Sequence, residues 1–313
     1  MPSRDSIRQI ADQNGAVFDT RPPEERETVS ALQRLKKNAS DKASALLVPI
    51  VKKFSGIGGE TIDEAIGVAR HLEERGFALT LGYWDTGCET ARSVADVYLA
   101  AIACLGARTE DWTVSIKPPA LRFDAGLAAA LAGVAAQRNV RLHLDSHGPN
   151  VAEPSNVMLR EMCKLSTNLG TTLPGRWRRS LDDAAFAIEY GLHVRIVKGQ
   201  WPDPDEPDRD MASGFLAVVD RLAGRARHVG VATHDLPLAR EAVERLRAAG
   251  TPCEIEILLG YPAKPLLRWA RQNAVKVRVY VPYGGGFIPN AVAVLKRNPR
   301  LLLAVARDRL LRA

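Results

Sequence analysis

From about residue 46 onward the chain repeats one unit: a short apolar run, a turn, and an amphipathic stretch at helical spacing. The runs are ALTLGY (78–83), WTVSIK (112–117), VRLHLD (140–145), a weaker GTTL (170–173), VRIVKG (194–199), VGVATH (229–234), CEIEIL (253–258) and VRVYVP (277–282). DEAIGVARHLEERG precedes the first, and AGLAAALAGVAAQRN, LPLAREAVERLRAAG and PLLRWARQNA lie among the rest. Strands that alternate with helices imply a parallel sheet. Eight such units favour closure over an open sheet. The fold class expected is therefore α/β, a (β/α)8 barrel of the TIM type. No GxGxxG follows the first run, which weakens a dinucleotide-binding open sheet further. Thr61 and Glu64 in ETIDEAIGVA predict a capping box on the helix before the first strand.

A barrel of this type takes about 250 residues, and 313 leave room for an appendage. Residues 1–45 read as a charged N-terminal helical arm, broken at Arg21 to Pro23, and residues 46–313 as the barrel. No run approaches the roughly 20 apolar residues of a membrane helix, and the polar start MPSRDSIRQIADQNG lacks a signal core. Cys88, Cys104, Cys163 and Cys253 form no CxxC pair, so the expectation is a reduced, cytoplasmic protein without structural zinc. The net charge of +7 comes from scattered arginines with no accompanying nucleic-acid motif. It reads as a basic helical surface that attracts anionic cofactors and substrates.

Chemistry in such barrels sits at the C-terminal mouth of the strands. That rule selects Lys117, the Asp145-Ser146-His147 exit, Arg195 and Lys198 with Gly199, Thr233-His234-Asp235, and Tyr280. Each residue alone has a bland reading. Glu254 or Glu256 could pair with Arg278 or Lys276 inside the barrel, and His234 could be a satisfied core histidine. Together they are harder to dismiss, because buried charge is costly unless it is paired or bound to a ligand. His143, Asp145, His147 and His234 are metal-ligand types. His143 and His147 lie on a strand and its exit, where side chains four apart need not converge, so no metal is expected.

These segments resemble the proline dehydrogenase family. RIVKGQW (195–201) is similar to that family's R-x-V-K-G-A-Y, VATHD (231–235) to A-T-H-N, EIEILLG (254–260) to E-F-Q-M-L-x-G, and VRVYVPYG (277–284) to R-x-Y-x-P-x-G. VSIKPPAL (114–121) resembles S-V-K-L-S-A-L, LDSH (144–147) resembles I-D-A-E, and GGETIDEAIGVARHLEERGFALTLGY (58–83) resembles the G-E-T entry and first strand. The motifs keep family order over about residues 46–300. The resemblance implies a distorted (β/α)8 barrel that binds FAD without covalent attachment. It implies that Arg195, Val197, Lys198, Gly199, Thr233 and His234 hold the cofactor, with the arginine near flavin N5. Lys117 and Asp145 would lie beside the isoalloxazine and the substrate, and Tyr280 would pack against the substrate. Fixed cations would suit a ring that becomes electron-rich on taking up hydride.

The departures fall on the substrate side. The family's last site helix carries Y-x-x-R-R, which grips the proline carboxylate; counted from Gly284, those positions are Asn290, Ala293 and Val294. A hydrogen bond to a charged group contributes about 1.5–3 kcal/mol, so losing the pair should nearly abolish proline affinity. Lys296 and Arg297 lie further along, with different directions. The glutamate of D-A-E is His147, the tyrosine of K-G-A-Y is Trp201, and a fourth-strand glutamine is Pro174. Trp201, Ile288, Ala293 and Val294 would make the pocket more apolar, and His147 would add a group able to move a proton near neutral pH. The expectation is an FAD-dependent oxidoreductase acting on a small molecule more apolar than proline, for instance reducing a C=C bond such as that of a prenyl group in a biosynthetic pathway. A genuine proline dehydrogenase making pyrroline-5-carboxylate and a non-catalytic flavin-binding barrel are the alternatives. The sequence does not specify the electron partner or the oligomeric state.

Overall fold

The structure, a computed structural model, describes residues 58–105 and 112–297, with side chains described as far as Val292. The N-terminal arm expected over 1–45 lies outside the described residues. Helix α1 (Ile62–Glu73) leads into eight strands: β1 (Ala78–Tyr83), β2 (Trp112–Ile116), β3 (Arg141–Leu144), β4 (Leu169–Pro174), β5 (His193–Val197), β6 (His228–Ala232), β7 (Cys253–Leu258) and β8 (Val277–Tyr283). Helices follow the strands in turn: α2 (Ala91–Leu105), α3 (Ala125–Gln137), α4 (Ala152–Cys163), α5 (Ser180–Glu189), α6 (Met211–Leu222), α7 (Leu236–Ala248), α8 (Lys264–Gln272) and α9 (Phe287–Arg297). All neighbouring strands are parallel, and β8 pairs with β1 from Ala78↔Arg278 to Tyr83↔Tyr283, which closes the barrel. The expected eight strands and (β/α)8 fold are therefore present.

Local signals account for the element ends. The Thr61 side chain accepts from the Glu64 backbone, while Glu64 Oε2 accepts from the Thr61 backbone at 3.0 Å, so the capping box forms as expected. Asp124, Asp210 and Asp235 cap α3, α6 and α7 through side-chain bonds to backbone N–H groups.

The strands are two-faced. Leu79, Leu81, Val114, Ile116, Leu142, Val194, Ile196, Val231 and Ile255 are buried in one apolar cluster with the inner faces of the helices. Burial of each such side chain stabilises by about 1.5–3 kcal/mol. The opposite face fills the lumen with Thr80, Thr113, His143, Arg195, Glu254 and Arg278. TIM barrels more often fill that space with branched aliphatics. Glycines make room for the larger groups: a Cβ on Gly82 would lie 2.0 Å from the Tyr280 hydroxyl, and one on Gly170 would lie 2.3 Å from His143 Nδ1. Buried ion pairs are often no more stabilising than well-packed apolar replacements. A charged lumen is therefore poorly explained by stability and directs attention to chemistry.

Candidate functional site

At the C-terminal mouth a cavity of about 530 Å³ opens over the lumen. That volume lies within the range typical of small-molecule and cofactor sites. Its lining joins a polar floor of Lys117, Asp145, Arg195, Glu256 and Tyr280 to an apolar wall that includes Val197, Ala232, Ile257 and Leu258.

Arg195 is the hub of the floor. Odd-numbered positions of β5 face the lumen, so its guanidinium extends inward, where it is 5% exposed. Its Nε and Nη2 donate to the two Glu256 oxygens, each at 2.7 Å, and Nη1 donates to Asp145 Oδ1 at 2.6 Å. Burial opposes the charge, but Glu256 and Asp145 outweigh it and hold the guanidinium protonated. Asp145 also accepts from Ser115 Oγ, and its Oδ2 accepts from the Tyr280 hydroxyl at 2.8 Å. Burial pushes the Asp145 carboxyl up, yet Arg195 and Lys117 prevail and keep it below the ordinary aspartate value. The Tyr280 phenol lies well above its usual range, through burial first and the Asp145 charge second. It is a protonated donor at neutral pH.

Lys117 leaves β2 with its ammonium bonded to the Tyr83 carbonyl, 3.9 Å from Asp145 Oδ2 and 4.9 Å from the centre of the Trp84 ring. Burial lowers its pKa against the opposing pull of Asp145. His147 borders the cavity with its ring stacked on Trp201 at 6.3 Å. Its Nδ1 lies 3.3 Å from the Asp145 carbonyl, and burial pushes its pKa below 6.5. Burial thus favours the neutral imidazole, a form that can accept a proton.

The remaining candidates divide. Val197, Gly199, Trp201, His234 and Asn290 line the cavity. The φ of +98° at Gly199 fits a residue without Cβ, and an added Cβ would lie 3.0 Å from both Arg176 and Pro174. His234 lies between a donor and an acceptor: Nδ1 is 3.0 Å from the Pro262 carbonyl, and Nε2 accepts from Leu258 N–H at 3.1 Å. Those partners fix an uncharged Nδ1–H tautomer, so His234 borders the cavity as a satisfied histidine. Lys198 and Thr233 are not among the lining residues. Lys198 pairs with Asp235 at 2.8 Å, and the Thr233 hydroxyl accepts from the Asp235 backbone. Ile288 is half-buried on α9 and also does not line the cavity. Ala293 and Val294 continue α9, but their side chains lie outside the described residues, as do those of Lys296 and Arg297. Pro174 ends β4, where its carbonyl accepts from Ser180 Oγ at 2.6 Å.

Ser115, Thr172 and Glu256 are floor residues that a search of strand ends undervalues. Their signal is alternation: Ser115 is two before Lys117, and Glu256 is two after Glu254. Of the bland pairings expected for Glu254 and Glu256, one forms: Glu254 bonds Arg278 at 2.6 Å deeper in the lumen. No group of three or more metal-ligating side chains is present among the described residues. No described helix is long and apolar enough to cross a membrane.

No family model matches the chain. Among curated proteins, Proline dehydrogenase 1 of Bacillus subtilis subsp. natto is 24% identical over 246 residues, covering 73% of this chain and 80% of that protein. Proline dehydrogenase of Deinococcus radiodurans is 25% identical over 255 residues, with the same coverage. Among solved structures, proline utilization A from Bdellovibrio bacteriovorus, inactivated by N-propargylglycine, superposes with a TM-score of 0.63 at 18% identity over 80% of this chain. A mutant of proline utilization A from Bradyrhizobium japonicum superposes with a TM-score of 0.63 at 19% identity, again over 80% of this chain. This chain spans 32% of the length of each of these two structures, and the likeness is one of fold.

Proposed function

Taking as premise that this chain is a divergent relative of the proline dehydrogenases, we propose that it is an FAD-dependent oxidoreductase whose substrate is neutral and more apolar than proline. The observation that carries the reading is the mouth cavity itself. An apolar wall joins a floor of paired charges, which suits an apolar ring system with a polar edge. Flavin fits that lining: Arg195 and Lys117 place fixed positive charge on the floor with Tyr280 beside them, and Val197 with Leu258 gives an apolar face. Arg195, Val197, Gly199 and His234, which line the cavity, are proposed to hold its ring, and Lys198 and Thr233, outside that lining, the rest of the dinucleotide. Bound flavin supplies the two-electron hydride chemistry that amino-acid side chains lack.

The chain's own residues supply binding and proton handling. Asp145 fixes the Tyr280 hydroxyl and neutralises Arg195 and Lys117 together. Tyr280, held protonated, presents the donor next to the reacting centre. His147 and Trp201 narrow the mouth and limit the access of water.

The substrate reading rests on the cations. Arg195 is the sole guanidinium among the described residues lining the cavity, and two carboxylates already bind it. Lys117 is bonded to a carbonyl. Asn290 lines the cavity on the helix where the proline dehydrogenase motif places Y-x-x-R-R. A substrate carboxylate would find no guanidinium on the described cavity lining beyond Arg195, whereas an uncharged molecule would bury its surface against Trp84, Trp201 and Ile257. Reduction of a C=C bond, as in a prenyl group, is the version of this reading with the most apolar substrate.

The test is a visible spectrum of the purified protein, before and after incubation with FAD, then with saturating proline under anaerobic conditions. The expected result is a bound yellow chromophore that proline does not bleach. A protein that stays colourless with FAD removes the flavin reading, and bleaching by proline removes the altered substrate.

A further inference from the structure

Glu256 lies on β7 facing the lumen and lines the same cavity as Arg195. It is buried, at 5% exposure. Its two oxygens take Arg195 Nε and Nη2, a bidentate grip with both distances at 2.7 Å. The pair is built into the fold from several sides. Thr80 Oγ1 donates to Glu256 Oε1 at 3.2 Å from β1. Gly230 on β6 leaves space, since a Cβ there would lie 3.3 Å from Glu256 Oε2. Asp145 occupies Arg195 Nη1 on the far side.

The charge balance of the floor follows. Arg195 and Lys117 are the cations lining the cavity among the described residues; Glu256 is buried and Asp145 mostly buried beside them, and half-buried Asp85 lines the same cavity. Two positive charges meet the two carboxylates bonded or adjacent to them, and Asp85 adds a third on the cavity lining, so no cation is in surplus. A neutral amide at 256, which the E-F-Q segment of the resembling family carries, would keep much of the hydrogen bonding and remove the negative charge bonded directly to Arg195. Water is largely excluded from this floor, so a unit of charge there acts with little screening.

We propose that Glu256 is a positioning residue that holds Arg195 and cancels its charge, keeping bound flavin at a low reduction potential. The inference rests on the FAD reading above and adds to it a direction. Two-electron reduction makes the ring system electron-rich, and a surplus cation beside it would stabilise that state. With the cation cancelled, the reduced state is less favoured and gives up hydride more readily. The site is thus poised to reduce its substrate rather than to oxidise it.

The experiment is an anaerobic spectroelectrochemical titration of the FAD-loaded protein, comparing wild type with Glu256→Gln, Glu256→Asp and Glu254→Gln. Glu256→Gln is expected to shift the oxidised-to-reduced equilibrium at least tenfold toward reduced flavin, which is about 30 mV for a two-electron couple. Glu256→Asp keeps the charge with an altered grip and should stay near wild type. Glu254→Gln changes the other lumen pair, on Arg278, and should also stay near wild type. Should Glu256→Gln fail to fold, Asp145→Asn removes the second carboxylate from Arg195 and must move the potential in the same direction. A potential that is unmoved or lower in Glu256→Gln, or equally raised in Glu256→Asp, overturns the inference while leaving the flavin reading intact. A wild type that takes up no FAD overturns both, and gives no potential to measure.

Discussion

The hydroxyl of Tyr280 on β8 donates to Oδ2 of Asp145 at the exit of β3, across the barrel mouth, at 2.8 Å. The same aspartate is held from the other side by Arg195. A proton donor and the group that orients it thus come from strands that are not neighbours, and only barrel closure brings them together.

Removing that donor tests its role in proton transfer. Tyr280→Phe should lower kcat about 10²-fold or more if Tyr280 delivers the substrate proton, the usual contribution of a positioned acid. The fold should lose only about 1 kcal/mol, because Asp145 keeps Arg195 and Ser115. Steady-state kinetics and a thermal melt on the same preparation separate the two effects. An unchanged kcat assigns the proton elsewhere.

Gly82 explains why Tyr280 can stand in the lumen at all. A Cβ at 82 would come within 2.0 Å of the phenol oxygen and 2.2 Å of Cζ. Gly82→Ala should displace the ring, break its bond to Asp145 and cost about 1–3 kcal/mol by overpacking. Gly67→Ala on α1 is the control, with nothing within 4 Å of the added Cβ. Chemical denaturation should show the first destabilised and the second unchanged or slightly more stable.

Much of this arrangement is legible in the strand runs. β1 and β7 match the expected spans, 78–83 and 253–258, and the other strands differ by a residue or two at an end. GTTL reads as weak because Gly170 and Thr172 serve the polar lumen rather than an apolar core. Depth is not legible. A rule that looks to the C-terminal exits passes over the other end of the strands, where Arg141, His193, His228 and Glu254 line a separate small cavity in the lumen. Partner choice is not legible either. Glu256 reaches Arg195 from β7 to β5, a pairing set by barrel register and not by any spacing along the chain.

Trp201 covers His147, and removing it should change that histidine's titration. Burial is the first cause of the lowered His147 pKa, and the stacked indole supplies part of the cover. Trp201→Ala should move the His147 pKa up toward 6.5, readable by NMR titration of the ring protons. The same variant should raise KM for an apolar substrate more than it lowers kcat, because Trp201 is bonded through its backbone carbonyl to Trp177 Nε1 and the loop should persist. A pKa that stays put would show that the loop, rather than the indole, shields the imidazole.

The deep histidines make stability depend on pH with a definite sign. His193 and His228, with ring centres 5.3 Å apart, line the small cavity with Arg141, Arg278 and Glu254. Burial, then Arg141 and His228 among other cationic neighbours, pushes the His193 pKa down to about 2; burial lowers that of His228 to about 4, against the opposing pull of Glu254. In the unfolded chain both titrate near 6.5. Below that value the unfolded state binds more protons than the folded one, so stability is fully present above about pH 7 and is lost as pH falls toward the folded values. Between the unfolded and folded values of His228, each step of one pH costs about 1.4 kcal/mol per histidine, so the share of His228 alone approaches on the order of 3 kcal/mol by pH 4. Urea denaturation at pH 7.5, 6 and 5 should show a falling midpoint, beginning above the range where carboxylates titrate. The double variant His193→Gln/His228→Gln should lessen that fall between pH 6.5 and 5, with buried His143 on the same cavity contributing the remainder. A wild-type midpoint that stays level down to pH 5 would mean that the two imidazoles accept protons in the folded barrel, with Glu254 as their counter-charge.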